Sequence, residues 1–267
     1  MLELLNRFAR IMLSTDPTRR FSSRVEDYVK YRPGYPEAVL EILKAHCGLA
    51  PAWVVADIGS GTGLLTELFL RHGNPVLAVE PNPEMRAAGE RRLAHYDGFR
   101  SIAATAEATT LAGQSIQLIT AGQAFHWFDR AKARREFERI LRPDGWVMLI
   151  WNEREAETSA FLRAYEELLR QFSTDYAQVD HRRADEAVLA DFFSPGRLRL
   201  ETLKNRQDFD FEGLKGRLLS SSYAPGAGHP NHKGMLAELT RIFESYQIGG
   251  KVAFEYTTKV YFGRLTG

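Results

Sequence analysis

The stretch Asp57-Ile58-Gly59-Ser60-Gly61-Thr62-Gly63 constrains the fold more than any other part of the chain. Its glycines alternate, and they follow Trp53-Val54-Val55-Ala56-Asp57-Ile58, a short apolar run of the kind shown by a strand buried on both faces. After them, Leu64, Leu65, Leu68 and Phe69 recur at helical spacing until Gly73 and Pro75 stop the pattern. Strand, glycine turn and helix in that order open a βαβ unit. Glycine in the turn lets the backbone take positive φ and approach a ligand closely.

The same alternation runs on through the first half of the chain. Val76-Leu77-Ala78-Val79-Glu80 reads as a second strand, and Asn82-Pro83 opens a helix through Met85, Ala88 and Leu93. Phe99 to Ala106 and Ser115 to Thr120 suggest strands three and four. Arg130 to Leu141 reads as a helix capped by Asp129, Pro143-Asp144-Gly145 as a turn, and Trp146 to Trp151 as strand five. An earlier helix, Pro36 to Leu43, ends before Gly48. Beyond Trp151 the pattern changes. Phe161 to Phe172 and Met235 to Tyr246 mark long helices, and Arg199 to Phe209 and Lys251 to Arg264 mark two strands expected to pair antiparallel at one sheet edge. The expectation is an α/β chain with a seven-stranded mixed sheet, mostly parallel, helices on both faces, and a helical cap over the strand tips.

Bulk properties narrow the function. The chain has 267 residues and a formal net charge of +1, so no overall field recruits nucleic acid or an anionic membrane. Cys47 is the only cysteine, which excludes an intrachain disulfide and a cysteine metal cluster. No apolar run reaches membrane-span length. The amphipathic start, MLELLNRFARIMLS, is broken by Glu3, Arg7 and Arg10 and reads as a terminal helix rather than a targeting peptide. A cytoplasmic setting is the default.

The acids around the glycine turn point to a ligand class. Glu80 ends the second strand, where a carboxylate can accept both hydroxyls of a ribose. A dinucleotide site would place a third glycine at position 64, which is Leu64, and Asp57 before the turn would repel a pyrophosphate. The arrangement suits a cofactor with an adenosine, a cationic amine and no phosphate, as in S-adenosylmethionine (SAM).

On DIGSGTG, VLAVEPNPEMRAAG, AEATTL and AGQAFHWFD, the chain resembles the class I SAM-dependent methyltransferases, which have a Rossmann-like sheet. Within them it is most similar to the small-molecule group that includes trans-aconitate methyltransferase and the methyltransferase type 11 set. Tyr28-Val29-Lys30-Tyr31-Arg32-Pro33-Gly34-Tyr35-Pro36 is similar to that group's opening. The resemblance covers roughly residues 22–151 and is loose beyond. It implies a single domain over 1–267, with a cofactor-binding core over 22–151 and a substrate cap over 152–250, inserted between strand five and the last strand.

Position by position, the resemblance implies that Asp57, Gly59, Ser60, Gly61 and Gly63 line the amino acid end of SAM. Glu80 would hold the ribose, with Pro81, Asn82 and Met85 beside the adenosine. Ala106 and Glu107 would meet the adenine; many relatives carry an aspartate where this chain has Thr105. Gln123 and Ala124 would contact the methionine portion, Tyr28 and Arg32 would close over the cofactor, and Arg32 could pair with its carboxylate.

Methyl transfer needs a base only where the acceptor carries a proton, and His126 is the candidate. Phe125, Trp127 and Phe128 would wall the methyl, with His126, Trp127 and Tyr223 toward the substrate. The competing reading makes His126 a residue that fixes the loop after strand four, and positioning is the preferred role. Ser220 to Ser222 could supply hydroxyls. His229 and His232 lie in a loop-like stretch and point to a pocket cover, so no metal site is expected. Arg134-Arg135 and Arg182-Arg183 read as solvated faces.

The acceptor is expected to be a small molecule, a carboxylate or a hydroxyl, and the protein a monomer or homodimer. A nucleic-acid methyltransferase is the alternative, weakened by Gln123-Ala124-Phe125-His126 where amino-methylating enzymes carry an N-P-P-Y-like tetrad. A NAD-binding oxidoreductase is disfavoured by Leu64 and Asp57. A non-catalytic SAM-binding protein is a further alternative.

Overall fold

The computed structural model describes residues 30–174, 176, 186–221 and 223–266. Tyr28, the amphipathic start of the chain and Arg182-Arg183 lie outside the described residues. A helix, α1 (Ala38–Cys47), precedes the sheet and ends at Gly48 in the left-handed region. The first half then alternates: β1 (Val55–Ile58), α2 (Leu64–His72), β2 (Val76–Val79), α3 (Pro83–Leu93), β3 (Phe99–Ile102), β4 (Ile116–Gly122), α4 (Arg130–Ile140) and β5 (Leu141–Arg154). The second half gives α5 (Ala160–Phe172), α6 (Glu186–Phe193), β6 (Leu198–Phe209), α7 (Phe211–Leu219), α8 (Asn231–Tyr246) and β7 (Val252–Gly263).

The seven strands lie in the order β3-β2-β1-β4-β5-β7-β6. The first five are parallel, whereas β7 pairs antiparallel with β5 on one side and β6 on the other. The expected antiparallel edge is therefore present, with the last strand threaded inside it. The outer strand, β6, carries Arg199, Glu201, Lys204, Arg206 and Asp208, charges that discourage pairing with another chain. The direction of winding reverses between β1 and β4, and in such sheets ligands bind beyond the carboxyl ends of the strands flanking that reversal.

Strand five starts earlier than expected. Ile116 pairs with Leu141, then the register jumps so that Leu118 pairs with Trp146. Pro143-Asp144-Gly145 is thus an excursion within the strand rather than a turn before it, because parallel pairing with β4 recaptures the backbone on both sides.

Each face of the sheet buries its own core. Val39 and Leu43 of α1 and Leu65, Leu68 and Phe69 of α2 pack on Val55, Leu118, Met148 and Ile150. Phe137 and Ile140 of α4, with Leu189, Phe192 and Phe193 of α6, cover Ala56, Ile119, Val147 and Leu149 on the other face. A third core joins Tyr165 and Leu169 of α5, Leu214 and Leu218 of α7, and Met235 and Leu239 of α8 to Val252, Phe254 and Tyr256 at the start of β7. Because Arg154 pairs with Tyr256, this third core stands beyond the carboxyl end of β5. The segment after strand five is thereby divided: α6 belongs to a face of the sheet, and α5, α7 and α8 form the helical layer at its tip.

Candidate cofactor cleft and active site

The glycine turn is held from below. Gly59, Gly61 and Gly63 have φ of 70°, 57° and 82°, a region costly for other residues. The N–H groups of Gly59 and Ser60 both donate to the Val79 carbonyl, at 2.8 and 3.1 Å, and the N–H of Gly61 donates to Glu80 Oε2 at 2.8 Å. Three successive donors that could otherwise cradle a phosphate are therefore spent on β2.

Glu80 is the hinge of this arrangement. Its Oε1 accepts from the Asn82 N–H at 2.8 Å, so each carboxylate oxygen takes one backbone donor and keeps capacity for another. Burial pushes its carboxyl above the usual range, opposed by the Asn82 and Gly61 N–H groups and by the charge of Arg86. Asn82 also caps α3, its side chain accepting from Met85 N at 2.9 Å, with Pro83 at the first helical position. That cap holds Met85 beside the turn.

Asp57 sits under the turn, fully buried. Thr66 Oγ1 donates to its Oδ2 at 2.6 Å and Thr120 Oγ1 donates to its Oδ1 at 2.9 Å. Burial outweighs these hydroxyls and, helped by the nearby charge of Glu80, pushes the carboxyl up to about 6.

Above the turn lies a cleft of about 190 Å³. Gly59 and Gly61 form its floor, with Glu80, Pro81, Asn82 and Met85 on one side and Thr105, Ala106 and Glu107 on the next. Gly122, Gln123 and Ala124 close it from β4, together with Trp127 and Phe128. A Cβ added at Gly59 would lie 2.6 Å from Ala124 Cβ, so glycine sets the width of the cleft at that point. Glu107 is tied in place because its Oε1 accepts the Asp129 N–H at 2.9 Å, and Asp129 caps α4 by accepting from Lys132 N.

Gln123 takes φ of 55°, uncommon for a side chain other than glycine. Its N–H donates to the Ile150 carbonyl at 2.9 Å and its Nε2 to the Asn152 carbonyl at 3.1 Å, which fastens the cleft to β5. Strained backbone held in this way is typical of functional turns.

Other expected residues stand elsewhere. Asp57, Ser60 and Gly63 do not line the cleft: Asp57 is buried beneath the turn, and a Cβ at Gly63 would lie 2.5 Å from Leu93, so that glycine serves packing against α3. Arg32 points to the cap, its Nη2 donating to the Ser220 carbonyl at 3.1 Å. His126 lies in a short 3-10 turn, Phe125–Trp127, half-buried, with its ring 4.9 Å from that of Trp127. Trp127 faces the cleft and His126 does not line it. Phe125 corrects the expected aromatic wall: it is 1 % exposed, its ring 4.7 Å from Phe192 in a T-shaped contact, and it anchors the segment in the sheet-face core. A turn of this kind must send one ring inward to be held, and only the remaining rings are left for the cleft.

Tyr223 stands half-buried in the cap, away from the cleft. His229 Nδ1 accepts from Asn231 N at 3.1 Å and His232 Nδ1 lies 2.9 Å from the Pro225 carbonyl, so both help start α8. Among the described residues, no group of three or more His, Cys, Asp or Glu is placed to hold a metal ion, and no helix is long and apolar enough to cross a membrane. Sequence reasoning missed Tyr35: a Cβ at Gly122 would lie 2.5 Å from its hydroxyl, which puts the tyrosine at the tip of β4. Its sole signal was its place in the N-terminal motif.

Residues 56–149 match the methyltransferase domain family. An uncharacterized methyltransferase of Mycobacterium tuberculosis is 38 % identical over 144 residues, which is 52 % of this chain and 55 % of that protein. An uncharacterized methyltransferase-like protein of Schizosaccharomyces pombe is 28 % identical over 158 residues, 59 % of this chain and 60 % of the other. The chain thus spans a little over half the length of the curated relatives it matches. Among solved structures, a candidate type II methyltransferase from Anaeromyxobacter dehalogenans shares the fold with a TM-score of 0.67 at 22 % identity, over 88 % of this chain and 99 % of that one. Residues 56–149 thus resemble a methyltransferase domain, and the strand order and the glycine turn bonded to Glu80 are those of the Rossmann-like fold shared with solved methyltransferase structures.

Proposed function

We propose that the protein binds SAM in the cleft beyond β1, β2 and β4 and transfers its methyl group to a small-molecule acceptor under the cap. The observation that carries this reading is the state of the glycine turn. The N–H groups of Gly59, Ser60 and Gly61 are committed to Val79 and Glu80, which leaves them none to offer a pyrophosphate, while each Glu80 carboxylate oxygen keeps capacity for a ribose hydroxyl.

The residues suit the proposed ligand. Gly59 and Gly61 remove side chains from the floor, Pro81, Met85 and Ala106 offer an apolar slot for an adenine, and Gln123 and Ala124 stand where the methionine portion would run. Asp57 and Glu80 supply negative charge near a ligand carrying an ammonium and a sulfonium. When bound, SAM supplies a methyl already activated by its sulfonium, with a neutral thioether as leaving group. The chain's part is then to orient, to exclude water and to hold the acceptor in line, which is worth roughly 7 to 11 kcal/mol when geometry is good. Trp127 and Phe128 provide the dry wall, and His126 acts through Trp127 as a positioning residue. On this reading the strand tips and turns between Gly59 and Phe128 hold the cofactor, and α5, α7 and α8 of the segment 152–250 shape the acceptor pocket.

Titration of the full chain with SAM and with NAD, followed by a labelled-methyl assay over a panel of metabolites, tests the proposal. Micromolar SAM binding with transfer to a small acceptor is expected. Binding of NAD without SAM would overturn it.

A further inference from the structure

The cap encloses a second polar cluster, of opposite charge to the cleft. Arg154 ends β5, Arg217 lies on α7, and Arg32 enters from the N-terminal side; the three charges converge on Tyr223. Arg217 is 5 % exposed, yet its guanidinium meets neutral groups: Nη1 donates to Ser221 Oγ at 3.2 Å and Nε to Tyr256 Oη at 3.4 Å, with the Phe254 ring 5.9 Å away. Among the described residues no carboxylate pairs with it. Arg154 pairs with Glu166 and donates to Tyr176 Oη at 2.9 Å, but its Nε is buried with no acceptor among the described residues. Its guanidinium lies 5.1 Å over the ring of Tyr165, which is itself fully buried, its hydroxyl bonded to none of the described residues.

A guanidinium buried without a carboxylate is costly, and an apolar side chain of the same shape would serve a core better. Among the described residues, stability therefore does not account for Arg217. The unmet groups are donors, and the acceptor that matches guanidinium geometry is a carboxylate. The cluster is also placed to act on the transfer site. Arg154 follows Asn152, whose carbonyl receives the Gln123 amide from the cleft, by two residues, roughly 7 Å along the strand. Tyr176 and Tyr223 are half-buried and the Arg154 side chain is 12 % exposed, so solvent reaches the edge of the cluster.

We propose that this cluster anchors the methyl acceptor: a carboxylate of the acceptor sits between Arg154 and Arg217, with the hydroxyls of Tyr165 and Tyr223 completing its hydrogen bonds. The inference rests on the methyltransferase reading and narrows its substrates to carboxylic acids.

The test uses the full chain saturated with S-adenosylhomocysteine (SAH). Its melting temperature is measured against a panel of mono-, di- and tricarboxylates, phosphate esters, and neutral amides and alcohols of matching size. Stabilisation confined to carboxylates is expected, with affinity at least tenfold weaker in Arg217→Met and SAH affinity unchanged. Arg217→Lys, which keeps the charge but loses the planar fork, is expected to fall between, and it stands in should Arg217→Met not fold. Stabilisation by phosphate esters or neutral compounds in place of carboxylates overturns the proposal, as does a carboxylate response that survives in the variants or is absent altogether. SAH binding is read separately: its loss would count against the methyltransferase reading, whereas SAH binding without a carboxylate response would count against the anchor alone.

Discussion

The tip of the sheet carries two buried polar groups of opposite sign. On one side Asp57 and Glu80 are held by backbone N–H groups beside the strand tips and by threonine hydroxyls from β4 and the first turn of α2. On the other, Arg154 is held by Glu166 of α5 and by Tyr176 beyond it, and Arg217 by Tyr256 of β7 and Ser221 after α7. The first group is a product of the sheet and would exist wherever this βαβ unit folds. The second requires the cap. The contrast teaches that the general half of the proposed reaction, holding the cofactor, is written in backbone, and the specific half, choosing the acceptor, is written in side chains brought together by tertiary structure.

The largest effect on the comparison is expected from Gly59→Ala. The new Cβ would meet Ala124 at 2.6 Å in a backbone with φ of 70°. Strain plus overpacking should cost about 4 kcal/mol by denaturant unfolding, and SAH binding should be lost while the cap retains its response to carboxylates. Equal loss on both sides would show the two halves to be one cooperative unit.

Asp57→Asn comes next, and its signature is a pH dependence. The folded chain holds the Asp57 proton up to about pH 6, whereas the ordinary carboxyl releases it near 3.8. The folded state thus binds more protons in that window, and Asp57 makes the protein less stable as pH rises through it. Unfolding free energies at pH 4 and pH 7 should show the variant gaining about 2 kcal/mol on the wild type between the two. Glu80 is raised in the same direction, so the test is the difference between the two proteins rather than the slope of either. A flat difference would show that the threonine hydroxyls compensate the buried charge.

Glu80→Gln removes a charged acceptor and should weaken SAH by about 2 kcal/mol in calorimetry, with little change at the cap. Smallest is His126→Gln. A general base is worth two to four orders of magnitude in rate, as a rule of thumb. Because His126 does not line the cleft, turnover is expected to fall by less than about tenfold. A loss beyond a hundredfold with SAH affinity intact would restore His126 as the base.

Legibility in the sequence follows the same division. The parallel strands, the glycine turn, Glu80 and the antiparallel edge were readable because each is a local pattern: an apolar run, a spacing, an alternation. The start of β5 was not, since Pro143-Asp144-Gly145 has every mark of a turn and only pairing with β4 makes it part of a strand. Phe125 and Trp127 look alike in sequence, and a 3-10 turn decides which of them faces the core. Arg154 and Arg217 gave no signal, because an arginine in sequence reads as surface charge until its neighbours from distant segments are known.

The threading of β7 has a consequence for how the molecule is made. It follows every other described element in the chain, yet it joins β5 to β6 and supplies Val252, Phe254 and Tyr256 to the cap. During synthesis, all the residues that line the cleft emerge before the strand that seats the cap. A nascent chain can therefore release every residue of the cleft while the core of the cap is still unbuilt, and trimming residues 252–263 should cost the cap first.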